Sequence, residues 1–437
     1  MNDVKVIGAG LAGCEAAWQI ANRGIKVKLY EMKPDKKSPA HVSNLFAELV
    51  CSNSLRSNRL ENAVGLLKEE LRRLGSLTIK AADTTQVPAG GALAVDREKF
   101  SEFISDKIKN HPNIEIIYEE VKKLPNPPAV IATGPLTSDA LIDSITNIHG
   151  VSGLSFYDAA SPIVSKSSLD MEHVFRASRY GRGDDYLNCP MDKDTYYHFV
   201  DELVNAKTVP VKGFEDSKVF EACMPVESMA KRGVQTLAFG PLKPKGLIDP
   251  KTGKMPFAVL QLRQDDAGAS LYNLVGFQTR LTFPEQRRVF GIIPALKNAE
   301  YLRYGVMHRN TFLNSPGFLN EFYEVISTPK LYFAGQITGV EGYVESAASG
   351  LAVGLYMSKQ LKGEERTAFP SNTAIGALGK YISRANSNFQ PMNINFGIMD
   401  SLDKRIRGKQ EKNLAISNRA LETVDDIIKS NYGGMDN

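Results

Sequence analysis

The sequence predicts an α/β fold built on a parallel sheet and interrupted mid-chain by an inserted α/β domain. Three observations carry this. The chain opens on a short apolar run, a glycine-rich turn and a helix-like stretch, which is how a βαβ unit begins. The same buried-strand style returns late, at Leu331-Tyr332-Phe333-Ala334-Gly335. Between them, residues 181–304 change character, with many Pro and Gly residues and short apolar runs. The expected division is therefore residues 1–180 with 305–437 as one discontinuous Rossmann-like domain, and 181–304 as the insert.

In chain order, residues 4–7 are the first strand and 14–22 the first helix, which Gly24 stops. Residues 26–30 are a second strand. Residues 46–50 form an apolar run that ends at Cys51 like a strand running into an exposed loop. A helix over 65–74 ends at Gly75, and Asp96 caps another that runs to about residue 110. Strands follow at 114–118 and 129–132, the latter ending in Thr133-Gly134. Within the insert, 258–262 and 271–277 are apolar runs. After it, residues 346–362 and 416–429 have helical periodicity. There is no fixed-period repeat, and the last five residues, 433–437, are expected to fray.

The turn is Gly8-Ala9-Gly10-Leu11-Ala12-Gly13, and Glu31 ends the second strand. A GxGxxG between strand and helix, followed by an acid at the end of the next strand, is a dinucleotide site. Gly8 permits the turn, Gly10 lets the backbone approach a pyrophosphate, and Gly13 lets helix and strand pack. Backbone N–H groups at the helix start face the phosphates, and Glu31 accepts from ribose hydroxyls. Gly13 and Ala17 have the GxxxA spacing common in FAD proteins. Ala132-Thr133-Gly134 resembles the strand-end element of two-dinucleotide-type flavoproteins, and Tyr332 to Gln336 resembles their late flavin motif, with Gln336 where an acid is usual. The expected fold is thus a two-dinucleotide-type FAD-binding domain, with Gly134, Gly335 and Gln336 at the cofactor. No second GxGxxG follows a strand, so NAD(P)H is expected to visit rather than to have its own Rossmann domain.

At 437 residues, 43% hydrophobic and 23% charged, the chain suits a globular protein of two or three domains. No run of 18 apolar residues suggests a membrane span, and the N-terminus lacks the pattern of a signal peptide, so a cytoplasmic protein is expected. The four cysteines, Cys14, Cys51, Cys189 and Cys223, form no CxxC pair. Zinc is therefore not expected, and free thiols are. Cys14 falls inside the nucleotide helix and reads as core; Cys189 has no supporting context. Between Lys207 and Arg303 there are 15 Lys and Arg against 9 Asp and Glu, and Arg405, Arg407 and Lys409 cluster later. Such patches are either phosphate-binding faces or ordinary solvated surface.

With these residues in view, the chain resembles the folate- and FAD-dependent tRNA (uracil-5-)-methyltransferase family over nearly its whole length. The carriers are residues 8–17, residues 48–56 (ELVCSNSLR), residues 88–97 (PAGGALAVDR), residues 221–227 (EACMPVE) and residues 339–346 (GVEGYVES). The resemblance implies transfer of a methylene from methylenetetrahydrofolate to uracil C5 and its reduction by flavin, with the ribothymidine of the tRNA T loop as product. Uracil C5 is a poor nucleophile. A thiolate added to C6 gives it carbanion character, and a base must take the C5 proton. The resemblance makes both Cys51 and Cys223 functional. Cys223 is assigned to C6 and Cys51 to the C5 proton or the one-carbon unit, with the reverse assignment left open.

Folate candidates are Glu341 and Glu345, on the chain leading into the late helix, with His308 to stack and Arg309 for the glutamate tail. Arg97 is a candidate for the FAD diphosphate. Lys231, Arg232, Arg280, Arg287, Arg288, Arg405 and Arg407 are candidates for RNA phosphates, and Phe283 or Tyr343 for the extruded base. Three competing readings remain: the same methylation on ribosomal RNA, a small-molecule FAD oxidoreductase, and a flavin-stabilised RNA-binding or assembly protein. NADH and NADPH are not distinguished, nor is the oligomeric state.

Overall fold

The computed structural model describes residues 3–149, 153–181, 183–210 and 224–432. Cys223 lies outside the described residues, and of His308 and Arg309 only the backbone is described.

The first sheet has five parallel strands in the order Leu331–Phe333, Ala129–Ile131, Val4–Ile7, Val27–Glu31, Ile114–Tyr118. The chain's first strand is at its centre and is buried, which explains its apolar composition. At its C-terminal end the sheet order switches direction, where α/β sheets bind ligands. The first helix is Leu11–Ala21, beginning three residues earlier than expected. The glycine motif therefore belongs partly to the helix: a Cβ on Gly13 would lie 1.8 Å from the Gly8 carbonyl oxygen. Only glycine permits that closeness.

The late helix, Tyr343–Lys362, also begins three residues early, because Gly342 with φ 111° forms its N-terminal turn. It packs on the first helix through glycine. A Cβ on Gly350 would meet the Ala12 carbonyl oxygen at 2.2 Å, and one on Gly354 would meet Gln19 Cβ at 2.6 Å. Residues 46–50 are not a strand but a chain of bends. Ala47 has φ 51°, and its N–H donates to the Ala9 carbonyl at 2.9 Å. The run is apolar because it packs over the glycine turn, with Phe46 and Leu49 fully buried.

A second sheet of six strands is antiparallel, in the order Phe175–Arg176, Leu187–Met191, Ala258–Gln264, Leu271–Leu274, Ile163–Ser165, Tyr301–Arg303. Helices Lys193–Asn205 and Phe283–Phe290 cover it and share its own apolar core, which includes Tyr196, Phe199, Phe277 and Phe290. This body reaches back before residue 181, because Ile163 pairs with both Asn273 and Arg303. Its connections to the first body run side by side, as Gly153–Ala159 pairs antiparallel with Met307–Leu313. Among the described residues no helix is long and apolar enough to cross a membrane, and no group of His, Cys, Asp and Glu is placed to hold a metal.

Candidate active site

A cleft opens at the C-terminal edge of the parallel sheet. Residues Gly8 to Ala12, Glu31, Ala132 to Ser138, Gly335 and Gln336 all line it. The predicted nucleotide residues Gly8, Ala9, Gly10, Leu11, Ala12, Glu31, Gly134, Gly335 and Gln336 thus come together. Gly13 is behind them, packing the helix onto the turn. A Cβ on Gly10 or Gly134 would meet nothing within 4 Å, so the backbone there faces open space. No side chain caps the helix at Gly10, which leaves its first N–H groups pointing to the cleft. Glu31 accepts the Ala9 N–H at 2.9 Å and the Lys33 N–H at 3.0 Å. These bonds hold its carboxylate at the rim with lone pairs to spare. Lys33 and His41, which the sequence did not single out, also line this wall.

Cys51 is half-buried beside this cleft, whose lining passes through its neighbour Val50 and through Tyr343. The Tyr343 hydroxyl accepts the Cys51 N–H at 2.8 Å and the Ser52 N–H at 3.3 Å. The next residues are tied to the second sheet. Asn53 donates to Val95 O and to Gln264 O, both at 2.9 Å, and accepts from Arg263 Nε at 3.0 Å. Arg263 Nη2 also donates to Ser52 Oγ at 2.7 Å. Arg97, Arg263 and Arg303 all feel the charge of Cys51. Burial, and then the Cys51 charge, push the Tyr343 phenol up, so it stays a neutral hydroxyl. Cys14 and Cys189 are fully buried and burial pushes both thiols up, which makes them structural.

Several expected roles are corrected. Arg97 does not line the cleft. Its guanidinium is engaged by Asp265, with Nη2 to Oδ1 at 2.9 Å and Nε to Oδ2 at 3.1 Å, and its Nη1 donates to Leu49 O. It braces the Cys51 segment against the second sheet instead of reaching a diphosphate. Glu345 is buried in the first turn of the late helix, ion-paired with Arg56 and accepting the Ile394 N–H at 2.9 Å. Glu341 accepts from the Gln336 carboxamide. Neither carboxylate lines the cleft. The Tyr343 hydroxyl is committed as an acceptor to the Cys51 and Ser52 amides. Arg288 is paired with Glu202 and Glu285, so its charge is largely neutralised.

Of the other basic candidates, Lys231, Arg232, Arg287, Arg405 and Arg407 are exposed, and Arg280 is 3.9 Å from the buried Glu227. Glu227 closes the EACMPVE segment structurally, accepting Thr279 Oγ1 at 2.8 Å and the Arg280 N–H at 2.9 Å. The helix after Cys223, Val226–Lys231, is thereby anchored to the turn at Arg280. The residues that sequence reasoning missed are Arg263, Asn53, Arg303 and Lys33. Ser52 and Asn53 belong to the segment of residues 48–56 already noted, but no spacing in the sequence connects them to residue 263.

The comparisons agree with this geometry. The family model described as glucose inhibited division protein A matches residues 3–365. A methylenetetrahydrofolate–tRNA-(uracil-5-)-methyltransferase TrmFO of Acetivibrio thermocellus is 60% identical over 428 residues, covering 97% of this chain and 98% of its own. One of Ligilactobacillus salivarius is 58% identical over 431 residues, covering 98% and 99%. Among solved structures, Aquifex aeolicus GidA in its form II crystal superposes with a TM-score of 0.71 at 16% identity, covering 98% of this chain and 73% of that one, which is a likeness of fold. A cleft built from the glycine turn, with a cysteine held at its edge, in a chain this close to those relatives over nearly its full length, leads to one conclusion: the chain belongs to the glucose inhibited division protein A family, on the side of its TrmFO members.

Proposed function

We propose that this protein is a cytoplasmic methyltransferase that moves the one-carbon unit of methylenetetrahydrofolate to C5 of a uridine in the T loop of tRNA, with FAD in the cleft and NAD(P)H as electron source. The observation that carries this reading is Cys51, its amide fixed beside a dinucleotide cleft by Tyr343, on a segment that Arg97 and Arg263 tie to the second sheet. The cleft suits FAD: the glycine backbone and uncapped helix start fit a diphosphate, and Glu31 fits a ribose. When bound, the flavin supplies the electrons that turn the transferred methylene into a methyl.

The chain's own residues do the rest. In this reading a thiolate from Cys223 adds to uracil C6, and Cys51 takes the C5 proton or holds the one-carbon unit. We assign the folate to Gln336, oriented by Glu341, and to the strand bearing His308 and Arg309. The first body is the FAD-binding half and the second sheet the RNA side.

The test uses purified holoenzyme with methylenetetrahydrofolate, NAD(P)H and unmodified tRNA, mapping 5-methyluridine by mass spectrometry. Methylation at one T-loop position is expected. Absence of 5-methyluridine in tRNA sinks the reading, and its appearance in ribosomal RNA alone replaces the substrate. RNA carrying 5-fluorouridine separates the thiols. Fluorine blocks loss from C5, so the C6 adduct accumulates. It should form in Cys51→Ala and not in Cys223→Ala, and the reverse pattern exchanges the two roles.

A further inference from the structure

Outside the cleft, the second body carries a stack of three aromatic rings. Phe283 and Tyr304 are 4.4 Å apart at an interplanar angle of 17°, and Tyr304 and Tyr301 are 5.2 Å apart at 9°. The Arg287 guanidinium is 5.2 Å from the centroid of the Tyr304 ring. Among the described residues neither tyrosine hydroxyl has a hydrogen-bond partner, so the rings and not the hydroxyls hold the stack. Phe283, at the start of helix Phe283–Phe290, ends the stack and is 48% exposed. A phenylalanine presented to water on two parallel rings is ill-explained by folding alone, since the same helix buries Val289 and Phe290 completely.

The position of the stack suggests its occupant. Tyr301 and Tyr304 flank Arg303, whose guanidinium feels the Cys51 charge and donates to Ala40 O at 3.2 Å. Arg280 and Arg287 stand on the same stretch of chain as Phe283, and Arg287 has no carboxylate partner among the described residues. A flat, exposed ring next to a cation, stacked on the segment that carries Arg303, has the chemistry of a platform for an unpaired base beside a phosphate backbone.

We propose that the Phe283–Tyr304–Tyr301 stack receives an unpaired base flanking the target nucleotide, holding the RNA loop open while the target base enters the cleft. This rests on the RNA-modifying reading above and adds to it a specificity-determining contact. It replaces the idea that Phe283 holds the target base itself.

The test measures binding of holoenzyme to an unmodified hairpin RNA carrying 2-aminopurine in its loop, and to a blunt duplex of the same stem, at several salt concentrations. The variants are Phe283→Leu and Phe283→Trp, each checked for unaltered flavin absorbance and unfolding temperature. Phe283→Leu should weaken hairpin binding about 5- to 10-fold. The salt slope should not alter, because no charge is removed. It should also abolish 2-aminopurine quenching and leave duplex binding alone, while Phe283→Trp should restore both affinity and quenching. Unchanged hairpin affinity in Phe283→Leu, equal losses for hairpin and duplex, or no rescue by Trp overturns the platform and leaves the methyltransferase reading standing. Failure of the wild-type holoenzyme to bind the hairpin overturns both.

Discussion

Cys51 takes its setting from residues far away in the chain. Tyr343 fixes its amide, Arg263 its neighbours, and three guanidiniums its electrostatic surroundings. Its sulfur does not contribute to the cleft lining, so Cys51→Ala should keep FAD while losing at least about 100-fold in methyl transfer. Flavin absorbance and 5-methyluridine yield, measured on one preparation, check this. Lys68 is a different kind of buried group. Its Nζ donates to the Leu55 and Ser57 carbonyls, both at 2.7 Å, which holds the strand carrying Arg56. Burial, and then Arg56, lower its pKa to about 7. A neutral amine still has two N–H groups for those two carbonyls. Between pH 7 and the ordinary lysine value of 10.5, the unfolded chain therefore holds a proton that the folded chain lacks. Stability should rise with pH across that window, by at most about 1.4 kcal/mol per unit, and be lost as pH falls towards 7. Denaturant titrations of wild type and Lys68→Met over this range test it, because the variant should lose that slope.

The helix Leu11–Ala21 is held between two close approaches, the glycine turn at one end and helix Tyr343–Lys362 along its side. The second contact needs Gly350 and Gly354, four residues apart on one helix face. Gly350→Ala would push a methyl against the Ala12 backbone, where no side chain can rotate away. A loss of about 1–3 kcal/mol is expected. FAD affinity should fall as well, since Ala12 lines the cleft. Thermal unfolding and flavin release, followed on the same variant, should move together; an unaltered flavin affinity would show that the two helices are not coupled in this way. Elements defined by period and caps were legible beforehand. Strands Val4–Ile7 and Ile114–Tyr118 match expectation, as does Asp96 as an N-cap, accepting from Lys99 N. The run of residues 46–50 was not, because an apolar segment folded over a turn has the composition of a strand.

At the scale of the molecule, polar contacts bridge the two cores, and several of them fall on the segment that bears Cys51. Arg97–Asp265 is an ion pair among them, with side chains 15% and 4% exposed. Removing one partner strands the other charge away from water. Asp265→Asn should therefore cost about 3–5 kcal/mol, and Asp265→Asn combined with Arg97→Met much less. Chemical denaturation of both variants tests this, and a double variant no more stable than the single one would show that the pair does not act as a unit.

The sequence by itself was enough to bring the glycine turn and Glu31 to one cleft. Its glycines, the strand before them and the acid after them lie within about thirty residues, and each is required by a local backbone constraint that spacing records. The surroundings of Cys51 were decided only by tertiary structure. Residues 51, 97, 263, 303 and 343 meet because two sheets dock. A buried cation finds its partner by proximity after docking, and nothing in the periodicity of either segment encodes which distant strand will arrive.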